Sequence, residues 1–208
     1  METEEKLKNI LERCLELFYQ YGIRSLSMDD IAQRLGISKK TLYQYFSNKE
    51  DLVKQVVDHL SARHREKYDA IGAEPGNAID KLLKASVMAC DEMRYYNPVM
   101  TFDLHKYHAD VIEGHIRREK EYFREKILEN LTQGIREGLF RPNLNAELVA
   151  TLYVSNLAEL HRLDEVLAQK ITFRDVFQVM FDNYIRGIGT PEGIAYYENE
   201  MNKIMNKS

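Results

Sequence analysis

At 208 residues with 44% hydrophobic and 30% charged, the chain can bury a real core, which excludes a disordered tail. The formal net charge of -4 excludes bulk attraction to nucleic acid, and residues 1–67 carry 12 Lys and Arg against 11 Asp and Glu, while residues 68–208 carry 17 against 22. Any contact with a polyanion must therefore come from a local patch, and the larger remainder must do something else.

Ten Gly, four Pro and helical spacing without strand-like alternation predict an all-α chain. The acidic start M-E-T-E-E leads into a first helix with Leu7, Ile10, Leu11, Cys14, Leu17, Phe18 and Tyr21 on one side, ending at Gly22, a residue suited to a left-handed cap. Ser27 and Asp30 open the next helix as a capping box, with Asp in place of the usual Glu. It stops at Gly36, and Ser38 caps a short helix to Phe46. Ser47-Asn48-Lys49-Glu50 reads as a second capping box that launches a longer helix with Leu52, Val53, Val56 and Leu60. Pro75-Gly76 marks a linker, Asn77 caps a helix with Ile79, Leu82, Leu83, Val87 and Cys90, and Y-Y-N-P precedes a shorter segment from Phe102 to Tyr107. A long charged helix is expected from Ala109 to Gly138, then helices Ala146 to Leu163, Phe173 to Ile188 and one from Pro191 onward. No apolar run approaches the roughly 20 residues of a membrane span, so a soluble, cytoplasmic protein without membrane contact is expected.

The stretch from Ile31 to Lys49 has four basic residues and no acidic one. Ile31, Ala32 and Leu35 form one apolar stripe and Leu42 and Phe46 another, with Gly36 between them, the pattern of a helix-turn-helix whose second helix enters the DNA major groove. At about 100° per residue, Lys40 and Gln44 point away from Leu42 and Phe46. Their amine and amide can bond guanine and adenine edges. Thr41 and Tyr43 flank them with hydroxyls that suit phosphate oxygens, and Lys49 with the first turn of the next helix can attract another phosphate. Tyr45 lies between the buried and exposed sides, as suited to packing as to phosphate. Exposed Lys and Gln on an amphipathic helix are also ordinary solvated surface, so spacing alone leaves DNA binding open.

The run G-I-R-S-L-S-M-D-D-I-A-Q-R-L-G-I-S-K-K-T-L-Y-Q-Y-F-S-N-K-E-D-L, within Leu7 to Leu60, resembles the N-terminal domain of the tetracycline-repressor (TetR) family of bacterial transcription regulators. The resemblance implies a three-helix DNA-binding head over residues 1–48, with recognition helix Ser38 to Phe46, and a ligand-binding and dimerisation body over 49–208 whose first part, 49–70, is a connecting helix. By similarity Tyr43 and Lys49 match phosphate-gripping positions and Thr41 a position often on DNA, whereas Tyr45 stands where the family commonly has His. The candidate DNA-contacting set is Ser27, Lys39, Lys40, Thr41, Tyr43, Gln44, Tyr45 and Lys49.

In the body, the family pairs its last two long helices with those of a second copy. Leu148, Leu152, Leu157, Leu160, Val176, Phe177, Val179, Met180, Phe181 and Ile185 exceed what one side of a surface helix needs, although they could instead fill the monomer core. The middle helices are rich in Met and aromatic side chains, and Met88, Met93, Tyr96, Met100, Phe102, Tyr107, Tyr122 and Phe123 are the candidate lining for a small-molecule effector, with core packing as the plainer role. Cys14 and Cys90 read as free thiols in apolar surroundings. His105, His108 and His115 are close in sequence, yet no carboxylate or Cys completes a metal-ligand pattern, and no P-loop, G-x-G-x-x-G, G-x-S-x-G or C-x-x-C occurs. No metal, cofactor or enzymatic activity is expected; an enzyme using His105, His108 or His161 would lack an acid/base constellation. The expected function is a homodimeric regulator, a repressor rather than an activator, that leaves a double-stranded operator when it binds a small molecule. The competing reading is a helical adaptor that binds a protein partner through its body and no longer binds DNA.

Overall fold

A computed structural model describes residues 2–92, 97–163 and 173–205, which fold into ten helices: α1 Glu2–Tyr21, α2 Met28–Leu35, α3 Lys39–Tyr45, α4 Lys49–Ala73, α5 Ala78–Glu92, α6 Pro98–Tyr107, α7 Ala109–Arg136, α8 Ala146–Leu163, α9 Phe173–Ile188 and α10 Pro191–Met205. Packing divides the chain into two compact units, residues 1–67 with 96–119 and residues 68–95 with 120–208. The all-α expectation holds, and among the described residues the only extended pairing is an isolated bridge between Phe140 and Gly189.

The first unit is built on local signals that the sequence states outright. Gly22 ends α1 with φ 75°, and its N–H donates to Phe18 O at 3.0 Å. Ser27 and Asp30 form the expected capping box on α2, and Gly36, at φ 70°, closes it with N–H bonds back into the last turn. Ser38 caps α3. The start of α4 departs from expectation by one residue: Asn48 Oδ1 accepts from Asp51 N at 2.9 Å, and the Asp51 carboxylate reaches back to Ser47 N at 2.8 Å. Asn48 is therefore the cap, and the carboxylate three residues on accepts from the N–H of the residue before it.

These starts and stops turn the apolar stripes inward. Phe18, Ile23, Ile31, Leu42, Phe46, Leu52, Val53 and Val56 are sealed from solvent in a single core with Cys14, and Met100 and Leu104 of α6 and Ile112 of α7 join it. Polar staples hold α6 to the same unit. Asn97 caps α6 while its amide donates to Tyr19 O at 2.6 Å, and the buried Asp103 carboxylate accepts from Arg24 N at 2.8 Å.

Two histidines in this unit make its stability sensitive to acid. Ser61 Oγ donates to Val57 O and faces His115 Nδ1 at 3.0 Å, while His59 Nε2 meets no hydrogen-bond partner, standing 3.8 Å from Glu12 Oε1. Burial pushes both imidazoles below the ordinary histidine range, more than the neighbouring Glu119 and Glu12 raise them. Below about pH 6.5 the unfolded chain binds protons that the folded unit refuses, so stability is full above that pH and falls beneath it. Thermal melts on acidification from neutral pH are expected to show a falling midpoint, with the slope reduced in His115→Gln.

The second unit packs α5, α8, α9 and α10 with the C-terminal part of α7 around Ile79, Leu131, Phe140 and Ile185, all fully buried. The turn after α7 is pinned by Arg141 N to Ile188 O at 2.9 Å and Thr190 N to Leu139 O at 3.0 Å. Gly193 lets α10 approach that turn, since a Cβ there would fall 2.0 Å from Leu139 O. The apolar residues of α8 and α9 divide. Phe177, Phe181 and Ile185 are core, as the monomer-packing reading allowed, whereas Leu148, Leu152 and Val179 are more than half exposed. The Leu160 side chain lies outside the described residues. Cys14 is fully buried and Cys90 half-buried, both free.

Candidate nucleic-acid interface

The seven residues of α3 cannot stand as a helix by themselves, and the Leu42 and Phe46 side chains anchor them to the core. That anchoring fixes which side faces out. Lys40, Tyr43 and Gln44 are exposed, and among the described residues no ion pair ties Lys40 back to the protein. The amine and the amide, four residues apart, therefore stand on one outward side, as the geometry of base readout requires.

The other candidates are more encumbered. Lys39 Nζ is 2.7 Å from Asp29 Oδ1 of α2, so a phosphate must compete with a carboxylate for it. Asp29 raises the pKa of this exposed ammonium. The Thr41 hydroxyl lies 2.8 Å from Ser38 Oγ, which also accepts from Thr41 N, placing Thr41 in the cap of α3. Ser27 is likewise a capping residue, accepting from Asp30 N at 3.1 Å. Tyr45 is half-buried and packs on the core, its ring 6.2 Å from that of Phe46.

Lys49 opens α4 half-buried. Burial lowers its pKa most, against the opposing pull of the Asp103 and Asp30 carboxylates. The first turn of α4 also carries Glu50 and Asp51, and Asp51 N is already bonded to Asn48. These charges oppose the helix-end attraction for phosphate that the sequence suggested at this point. Glu50 has a further partner in the buried His108, Nδ1 to Oε2 at 2.5 Å. No cluster of three or more metal-ligating side chains exists among the described residues.

The candidate effector residues fall in both units. Met100 is core of the first unit, Phe102 is exposed beneath Lys106 Nζ, and Tyr107 packs under the Arg24 guanidinium. In the second unit, Met88 is half-buried, the Tyr122 hydroxyl donates to Asp69 at 3.0 Å, and Phe123 sets its ring edge-on to Tyr68 at 4.9 Å. Met93 and Tyr96 lie outside the described residues. Tyr68, Tyr153 and Tyr184 of the second unit stand outside the candidate lining; Tyr153 is buried and the other two are half-buried.

A capped short helix locked on a three-helix core with an amine and an amide outward is a helix-turn-helix DNA-binding head. Comparison with known proteins places it further. The profile of "Bacterial regulatory proteins, tetR family" matches residues 10–56. The HTH-type transcriptional repressor KstR2 of Mycolicibacterium smegmatis is 30% identical over 146 residues, 67% of this chain and 70% of that protein. YvaF of Bacillus subtilis, an uncharacterized HTH-type transcriptional regulator, is 28% identical over 189 residues, 89% of this chain and 96% of the relative. In structure, a transcriptional regulator from Cytophaga hutchinsonii superposes with a TM-score of 0.75 at 20% identity, over 89% of this chain and 99% of the other. The chain belongs to the TetR family and is a DNA-binding transcriptional regulator.

Proposed function

We propose that this protein is a homodimeric repressor that holds an operator through α3 and releases it when a small molecule binds in the second unit. The observation that carries the reading is the outward pair Lys40 and Gln44 on a helix whose other side is fully buried at Leu42 and Phe46. A single α3 touches few base pairs, and a dimer that sets two of them about one helical turn apart multiplies both affinity and specificity. The exposed Leu148, Leu152 and Val179 supply an apolar surface suited to a second copy. Release then follows if the effector binds the DNA-incompetent conformation more tightly, by the same factor with which DNA disfavours the effector. Within that reading Tyr43 and Lys49 contact phosphate, and Lys39 does so after giving up Asp29. Repression is favoured by the relative KstR2, which is named a transcriptional repressor.

Mobility-shift titration on the DNA upstream of the protein's own gene tests the proposal. Saturable binding with a stoichiometry of one dimer, weakening steeply between low and moderate salt as bound counterions are released, is expected. Absence of saturable, salt-sensitive binding would turn the interpretation toward an adaptor.

A further inference from the structure

Among the described residues, two buried side-chain oxygens of the second unit meet no hydrogen-bond partner: Asn130 Oδ1 and the Tyr184 hydroxyl. Asn130 is still anchored by its amide, which donates to Ala78 O at 2.9 Å. Among the described residues nothing bonds the Tyr184 hydroxyl. A sealed hydroxyl without a partner is costly, and native interiors keep few of them. Tyr184, on α9, stacks on Tyr153 of α8 with ring centroids 3.9 Å apart and planes 30° from parallel.

Tyr153, stacked on Tyr184, also has the Tyr68 hydroxyl of α4 and the Cys90 thiol of α5 near enough to act on it electrostatically. Phe123 walls Tyr68 on one side. Burial raises the pKa of all three phenols and of the Cys90 thiol, which means the surroundings disfavour charge. Among the described residues of this unit no charged residue is buried; the charges that act on these groups are the exposed Arg174, bonded to the Cys90 thiol, and the half-buried Glu92, which acts on Tyr68. An ionic head group drawn inside would lose its hydration without gaining a buried counter-charge.

We propose that the Tyr184 hydroxyl is the polar contact of the effector site, and that the site takes a neutral, largely apolar molecule bearing a hydrogen-bonding oxygen in preference to an anion or a cation. The proposal rests on the effector reading given above. The hydroxyl that the fold leaves unpaired donates to the ligand oxygen, and the stacked Tyr153 ring supplies apolar contact.

Calorimetric titration of the full chain with 2-nonanone, nonanoate and nonyltrimethylammonium, which share an alkyl tail and differ in head group, tests it. The ketone is expected to bind tightest. Tyr184→Phe should weaken the ketone roughly three- to tenfold, the worth of one hydrogen bond, and raise the melting temperature of the ligand-free protein. A charged probe that binds at least as tightly, an unchanged ketone affinity in Tyr184→Phe, or no binding of any probe overturns the proposal. DNA anisotropy with the same probes separates the two readings. A ketone that binds through Tyr184 without loosening DNA would remove the effector reading and keep this one, and a charged probe that binds tightest and loosens DNA would do the reverse.

Discussion

Phe46→Ala is expected to destabilise the first unit by about 3–5 kcal/mol, the usual loss when a large aromatic is removed from a packed core. Phe46 is fully buried, and its N–H caps α3 by donating to Leu42 O at 3.1 Å. It joins α3 to the core at the point where the chain turns toward α4, so the cavity left behind lies under the recognition helix itself. Loss of DNA binding should accompany loss of stability. Thermal or denaturant unfolding followed by circular dichroism measures the first effect. Tyr43→Ala is the control: an exposed side chain costs within about 0.5 kcal/mol of stability, and any loss of DNA affinity in that variant comes from contact rather than folding. A Phe46→Ala protein as stable as the parent would mean that α3 is held by something other than its apolar side.

Lys40→Ala and Gln44→Ala should each weaken the preferred sequence by ~1–3 kcal/mol while changing affinity for unrelated DNA little, because a base-edge contact discriminates and a phosphate contact does not. Lys49→Ala should weaken all sequences about equally. Lys39→Ala should do so less, since Lys39 is already neutralised by Asp29 at 2.7 Å and its contact with phosphate begins by breaking that pair. Competition binding with specific and scrambled duplexes at fixed salt measures the four variants together. Uniform loss across all four would show that α3 supplies only positive charge and shape.

Much of this was legible in the sequence because the signals are local. Ser27, Gly36, Ser38 and the four prolines set helix ends that need only a few neighbouring residues, and α8 and α9 span the predicted Ala146 to Leu163 and Phe173 to Ile188. The outward side of α3 followed from its period and its two apolar anchors. What the sequence could not express was tertiary partnership. Nothing in the chain near Lys39 says that Asp29 holds it, and nothing near Lys49 says that Asp30 and Asp103, 19 and 54 positions away, act on its charge. For the same reason Phe177 and Phe181 resembled pairing residues as much as core, since an apolar helix side does not state whether its cover comes from its own chain or a second one. The candidate aromatic lining divides between the two units, and Tyr153 and Tyr184, stacked on one another within one of them, stand 31 positions apart in sequence.

Selection of preferred duplexes from a random pool, run in parallel for the parent and for the Lys40→Ala, Gln44→Ala double variant, tests the account at its centre. The parent should enrich an inverted repeat with half-sites about one helical turn apart, and the double variant should keep bulk DNA affinity while losing preference at particular base pairs within each half-site. Enrichment of the same sequence by both proteins, or of none by the parent, would contradict the assignment of base reading to the outward side of α3.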